Sequence, residues 1–270
     1  MYAAFNVTTD LATVQRLDSP ASPSLLRELT TRPVAASSTK RPSIQKKIAS
    51  MLDPDGTINA DRMRADWFPE IKCNVFLSHA HADKKLADAL VQALERRFGI
   101  TCFVDADVWG YIGDLQKAID EKWSRRVTEA AGARYDYAKV LASSAHVHML
   151  LMSALAKMMD NCECLMFLNT PASVAVKDAS AGAGATYSSW IYGEAALSSI
   201  IRRRDLTEYR PGMVRAALES TEGLPRVKYK LPLEHMQPLG SAKLLEWNSA
   251  KVTSATSALD ALYELAGVLP

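Results

Sequence analysis

The chain has 270 residues, 48% of them apolar and 23% charged, and a formal net charge of +2. That length suits one sizeable domain with an appendage or two small ones, and the mixture is that of an ordinary soluble globular protein. The near-neutral charge gives no reason to expect a nucleic-acid partner. No run approaches the ~18 consecutive apolar residues of a membrane span, and residues 1–6 lack the charged-then-apolar pattern of a signal peptide. A cytoplasmic protein without membrane contact is expected.

Residues 1–70 read as an N-terminal extension of helices and loops. Ser19-Pro-Ala-Ser-Pro23, Arg32-Pro33 and Arg41-Pro42 punctuate it, and short helices are expected near 23–30 and 43–52. Lys40, Arg41, Lys46 and Lys47 form a small solvated basic face. Asp53-Pro-Asp-Gly56 is a turn, and Asn59 caps a short helix that ends before Pro69.

The domain proper begins near residue 71. In Lys72-Cys-Asn-Val-Phe-Leu-Ser-His79 the unbroken Val75, Phe76 and Leu77 suit a strand buried on both faces. Asp83 is placed to cap a helix whose apolar positions are Leu86, Ala89, Leu90, Ala93 and Leu94, and Gly99 ends it. Ile100 to Val104 is the next strand, completing a βαβ unit. Ligands of such units bind at the carboxyl ends of the strands, which directs attention to Ser78 to Asp83 and Asp105 to Asp114.

Asp105 to Gly113 is a loop rich in glycine and aromatics, and Asp114 opens a helix with Leu115, Ile119 and Trp123 on one side. A long helical pattern follows near 130–160, with Val140, Val147, Leu151, Leu155 and Met158 spaced for one buried face. A third strand is expected over 163–168, then a small-residue loop to Tyr187. Ser188 or Ser189 caps a helix running to about Arg204. Residues 226–231 and 243–247 are strand candidates four and five, and 253–265 a closing helix. Cys73, Cys102, Cys162 and Cys164 fall in or beside core strands and read as buried reduced thiols.

On the helix from Ser188, Trp190, Glu194, Leu197 and Ile201 lie within a narrow stripe. A glutamate inside an apolar stripe is anomalous, because burying its charge unpaired costs several kcal/mol. It therefore needs a partner, a shifted pKa or a ligand. A structural ion pair at the stripe's edge is the simpler reading.

From Asn74 onward the chain resembles a bacterial Toll/interleukin-1 receptor (TIR) domain. The resemblance is carried by Val75-Phe-Leu-Ser-His79, Asp83-Lys84, Phe103-Val-Asp105, Gly113-Asp114 and Ser188-Ser-Trp-Ile-Tyr-Gly-Glu194. Leu244-Leu-Glu-Trp247 and Ala255 to Leu262 continue it. It implies an α/β, flavodoxin-like fold over 71–270: a five-stranded parallel sheet of order 2-1-3-4-5 with helices on both faces. For enzymatic members it implies cleavage of NAD+ as substrate, with no cofactor and no metal, and with Glu194 catalytic. The products would be nicotinamide and ADP-ribose or a cyclic isomer, serving antiphage defence or signalling. Ser78, His79, Asp105, Trp109, Gly113, Asp114, Ser189 and Trp190 are the candidate substrate-binding residues. Self-association through TIR surfaces is implied, as is an effector protein that responds to a cyclic product. The loop 105–113, with Trp109 and Tyr111, would move when domains stack. The chain departs from the family in its long segment near 130–160 and in Asn169-Thr-Pro171, where a serine is common.

Two other functions compete. A non-catalytic TIR adaptor would use the same surfaces without turnover. Ser78-His-Ala-His-Ala-Asp83 also resembles the metal signature of metallo-β-lactamase folds, with His79, His81 and Asp83 as ligands of a metal-dependent hydrolase. Lys84 stands where that signature has its last histidine, and His146 and His148 fall in a helix where i and i+2 do not face each other.

Overall fold

The computed structural model describes residues 1–17, 52–55, 57–67, 72–104, 112–128, 132–177, 184–186, 188–209, 229–230 and 232–268. They fall into two compact units. The first contains the described parts of 1–17, 72–104 and 158–268, and the second those of 52–67 and 112–157.

The first unit is built on a five-stranded parallel sheet. Its strands are β1 (Ala3–Thr8), β2 (Val75–Ser78), β3 (Cys102–Val104), β6 (Cys164–Leu168) and β10 (Gln237–Gly240). They stand in the order β10-β1-β6-β2-β3. The βαβ unit is present as expected: α3 (Lys84–Phe98) joins β2 to β3 and ends at Gly99, whose φ of 67° is left-handed backbone that glycine adopts without a Cβ clash.

The sheet order differs from the expected 2-1-3-4-5. The first three places hold, as β3-β2-β6, but the next place belongs to β1 from the N-terminus. Residues 3–8 are therefore an interior strand and not part of an appendage. Ala3, Ala4, Phe5 and Val7 are buried, in register with β6 on one side and β10 on the other. Residues 243–247 are not a strand: they lie in α7 (Ser241–Asn248), where Leu244 and Trp247, three apart, face inward. In 226–231 the described pair β9 (Tyr229–Lys230) joins β7 (Ala175–Lys177) and β8 (Gly184–Thr186) in a separate antiparallel sheet.

Strand alternation sorts the side chains onto two faces. Ala3, Phe5, Val7, Val75, Leu77, Cys164, Met166 and Leu168 join the main core, with the inward residues of α1 (Leu11–Leu17), α3, α7 and α8 (Ala255–Ala266). Phe76 and Ser78 necessarily point to the other face. Within the core Trp247 stacks on Phe98 at 4.2 Å, and its indole N–H donates to the Ala258 carbonyl at 2.8 Å. Ser254 caps α8 through a capping box. At the amino end of the sheet Tyr263 donates to buried Glu163 at 2.9 Å. Cys73 Sγ stands 3.0 Å from Cys162 Sγ, and all four cysteines are free thiols, three of them fully buried or nearly so.

The second unit contains α2 (Ala60–Trp67), with Asn59 accepting from the Arg62 N–H at 3.1 Å as its cap. It also contains α4 (Ile112–Ile119), a π-helical turn Asp120–Ser124, and a hairpin of β4 (Arg125–Thr128) and β5 (Gly132–Tyr135). From there α5 (Tyr137–Asn161) runs into residues of the first unit. Among the described residues α5 is the one helix long and apolar enough to cross a membrane by length and composition. The expectation of no such span counted consecutive apolar residues, and α5 interrupts its apolar positions with exposed Lys139, His146, His148 and Lys157. Of the stripe read from the sequence, Val147, Leu151, Leu155 and Met158 are buried, whereas Val140 is half-buried.

Two outcomes test this architecture. Deleting residues 1–8 is expected to abolish cooperative thermal unfolding, because it removes a strand between β6 and β10; an unchanged melting curve would return the segment to an appendage. Trp247→Ala is expected to cost about 3–5 kcal/mol in urea denaturation, as for other large core truncations.

Candidate functional site

β2 ends at the carboxyl edge of the sheet on Ser78, which is 1% exposed. Opposite stands α6 (Ser189–Ile200), started by Ser188, whose hydroxyl accepts from the Ile191 N–H at 3.3 Å. Glu194 lies in the middle of α6 and is 1% exposed. The Ser78 hydroxyl donates to Glu194 Oε2 at 2.5 Å. A hydroxyl donated to a carboxylate is worth about 1.5–3 kcal/mol and offsets part of the cost of removing that group from water. Because Ser78 and Phe76 share a face, this bond brings α6 to the side of the sheet away from the main core.

The inward stripe of α6 is Ile191, Glu194, Ala195 and Ser198, rotated from the expected Trp190, Glu194, Leu197 and Ile201. Trp190 and Leu197 are half-buried, and Ile200 is exposed. The helix also ends at Ile200, before the expected Arg204. Glu194 remains at the centre of the buried face under either phasing.

His79, which follows Ser78, is buried, whereas His81 is exposed on the short 3-10 turn His81–Asp83. Asp83 makes no side-chain cap to α3, contrary to expectation. Its carboxylate instead accepts from the Thr170 hydroxyl at 2.5 Å. Thr170 is in turn fixed by the turn after β6: its N–H donates to Ser173 Oγ at 2.9 Å, and its Oγ1 accepts from the Ala172 and Ser173 N–H groups. The exits of β2 and β6 are thus tied together beside Ser78. Among the described residues no group of three His, Cys, Asp or Glu is arranged to hold a metal ion.

The remaining candidates divide. Ser189 is exposed and Trp190 half-buried in the first turn of α6. Gly113 and Asp114 are exposed in the first turn of α4, in the second unit. A Cβ at Gly113 would meet nothing within 4 Å, so packing does not require glycine there. Asp105 and Trp109 lie outside the described residues. The structure therefore brings together Ser78 and Glu194, with His79 adjacent in sequence.

Sequence reasoning marked Asn169-Thr-Pro171 only as a departure from the family, without the tie from Thr170 to Asp83, and it missed His235. One turn beyond Glu194, Ser198 Oγ stands 2.9 Å from His235 Nε2 and donates to the Ala195 carbonyl at 2.8 Å. Thr170 and Asp83 are 87 positions apart, Ser198 and His235 37 apart, and no local pattern links either pair. Burial, reinforced by Arg203, lowers the His235 pKa from 6.5 to about 4. The unfolded imidazole binds its proton near 6.5 while the folded one resists until about 4. This contribution to stability is complete above the upper value and is lost as pH falls through that window. Melting temperature is expected to drop between those two pH values, and His235→Gln to flatten the drop. An unchanged slope in the variant would remove His235 from the account.

No protein-family profile, no curated protein and no solved structure matches the chain.

Proposed function

We propose that the protein cleaves the nicotinamide–ribose bond of NAD+, as an NAD+ nucleosidase of TIR type, with Glu194 as the catalytic carboxylate. The observation that carries this reading is the bond from Ser78 to a fully buried glutamate at the carboxyl end of a central parallel strand, where α/β folds bind their ligands. Further support comes from the adjacency β3-β2-β6, which keeps the first three places of the TIR order, and from the position of Glu194 on the helix after β6.

The chemistry suits one carboxylate. Departure of nicotinamide leaves positive charge on the ribose through an oxocarbenium-like state, and a carboxylate at the ribose stabilises that charge or binds its hydroxyls. Nicotinamide leaves neutral, so its departure needs no general acid. Ser78 holds one oxygen of Glu194 and so fixes the side chain's direction. Low-dielectric surroundings strengthen the field of that carboxylate on a developing cation. Water adding to the ribosyl cation, with loss of a proton, gives ADP-ribose, and attack by a nucleophilic group of the same ADP-ribosyl moiety gives a cyclic isomer. Self-association, an effector reading the cyclic product and a role in antiphage defence belong to the same proposal.

Glu194→Gln keeps volume and most hydrogen bonding while removing charge. It is expected to lower NAD+ turnover by at least about 10²–10³-fold, the scale of losing a key electrostatic group, with the melting temperature retained. Ser78→Ala is expected to lower kcat by about tenfold with KM little changed, because the carboxylate remains but is less well aimed. If Glu194→Gln lowered the melting temperature and spared turnover, Glu194 would be a scaffold residue.

A further inference from the structure

The second unit contains a cavity of about 450 Å³, within the range of small-molecule sites. Its walls are mainly apolar, formed by the rings of Tyr135 and Tyr137 with Val140, and Tyr137 is 77% exposed at the rim. Asp120 and Gln116 line it as well, and exposed Lys117 stands at its edge. Asp120 opens the π-helical turn, a feature that often accompanies functional sites.

Asp120 is only 7% exposed. Its carboxylate accepts from Ser124 Oγ at 3.0 Å, Ser143 Oγ at 2.6 Å and Gln116 Nε2 at 2.8 Å. All three donors are neutral, and among the described residues no lysine or arginine is paired with it. A carboxylate only accepts, so the amide nitrogen of Gln116 must face Asp120; that nitrogen also donates to Ser143 at 2.8 Å. Gln116 Oε1 is left buried without a donor. A buried carboxylate lacking a cation and an amide oxygen lacking a donor both ask for an N–H-rich positive group. Two tyrosine rings in the same cavity favour such a cation further. Lys117, one turn before Asp120, supplies the opposite charge at the mouth.

We infer that this cavity is a binding site for a small zwitterion of the class of apolar or aromatic amino acids. The ammonium enters toward Asp120 and Gln116 Oε1, the carboxylate remains by Lys117, and the side chain lies against Tyr135, Tyr137 and Val140. The site is independent of Glu194 and of the proposed NAD+ chemistry.

Calorimetry on the full chain with L-phenylalanine, phenethylamine and hydrocinnamate tests the assignment. Phenylalanine is expected to bind with a dissociation constant of about 10⁻⁴–10⁻³ M, and the two singly charged probes at least about fivefold more weakly. Asp120→Asn is expected to weaken phenylalanine at least about tenfold. Tyr137→Ser, at an exposed position that folding does not depend on, is expected to weaken it several-fold. Lys117→Met should weaken phenylalanine and spare phenethylamine. No binding up to about 10 mM, equal affinity for either singly charged probe, or wild-type affinity in Tyr137→Ser overturns the inference.

Discussion

The hydrogen bond from Ser78 to Glu194 is the constraint around which the first unit makes sense. A glutamate buried in the middle of an apolar helix face is tolerable only where a donor meets it, and that donor comes from the last residue of a central strand. The requirement couples two otherwise separate facts of the sequence, the run Val75-Phe-Leu-Ser78 and the helix after Ser188. Alternation along β2 then directs Val75 and Leu77 to the main core and Ser78 to α6. The Thr170–Asp83 bond beside it holds together the exits of the two strands that flank the site. A carboxylate aimed by a neighbouring hydroxyl and shielded from water is suited to stabilising a sugar cation.

Among the described residues two glutamates, Glu163 and Glu194, are buried, and they lie at opposite ends of the sheet. Glu163 lies at the amino end of the sheet and accepts from Tyr263 of the last helix, within the ring stacking that closes the core. Glu194 lies at the carboxyl end, where strands of parallel sheets present their ligand-binding edges. Burial alone does not distinguish them. Their places on the sheet do.

How much of this was legible depended on the range of each signal. The βαβ unit from Val75 to Val104 could be read because its strand run, helix stripe and Gly99 stop all lie within thirty residues and agree. Glu194 was legible as a misfit in an apolar helix, although phasing the stripe on Trp190 and Leu197, not Ile191 and Ala195, turned it by part of a turn. The place of Ala3–Thr8 was not legible: a six-residue run says nothing about which strands it pairs with, and the proline-punctuated stretch behind it suggested a separate extension. Leu244-Leu-Glu-Trp247 was misread because a short apolar run fits a strand or one side of a helix equally well. Phe98, the ring on which Trp247 stacks, is distant in sequence. The polar network at Asp120 draws on α4, the π-helical turn and α5, so no single stretch announced it.

The role proposed for the carboxylate held by Ser78 is cleavage of NAD+. Its most direct test is chromatography of the products after the purified wild-type protein is incubated with NAD+ across a concentration series of the protein. The account predicts stoichiometric release of nicotinamide, together with ADP-ribose or a cyclic isomer. NAD+ recovered intact at every protein concentration would contradict it.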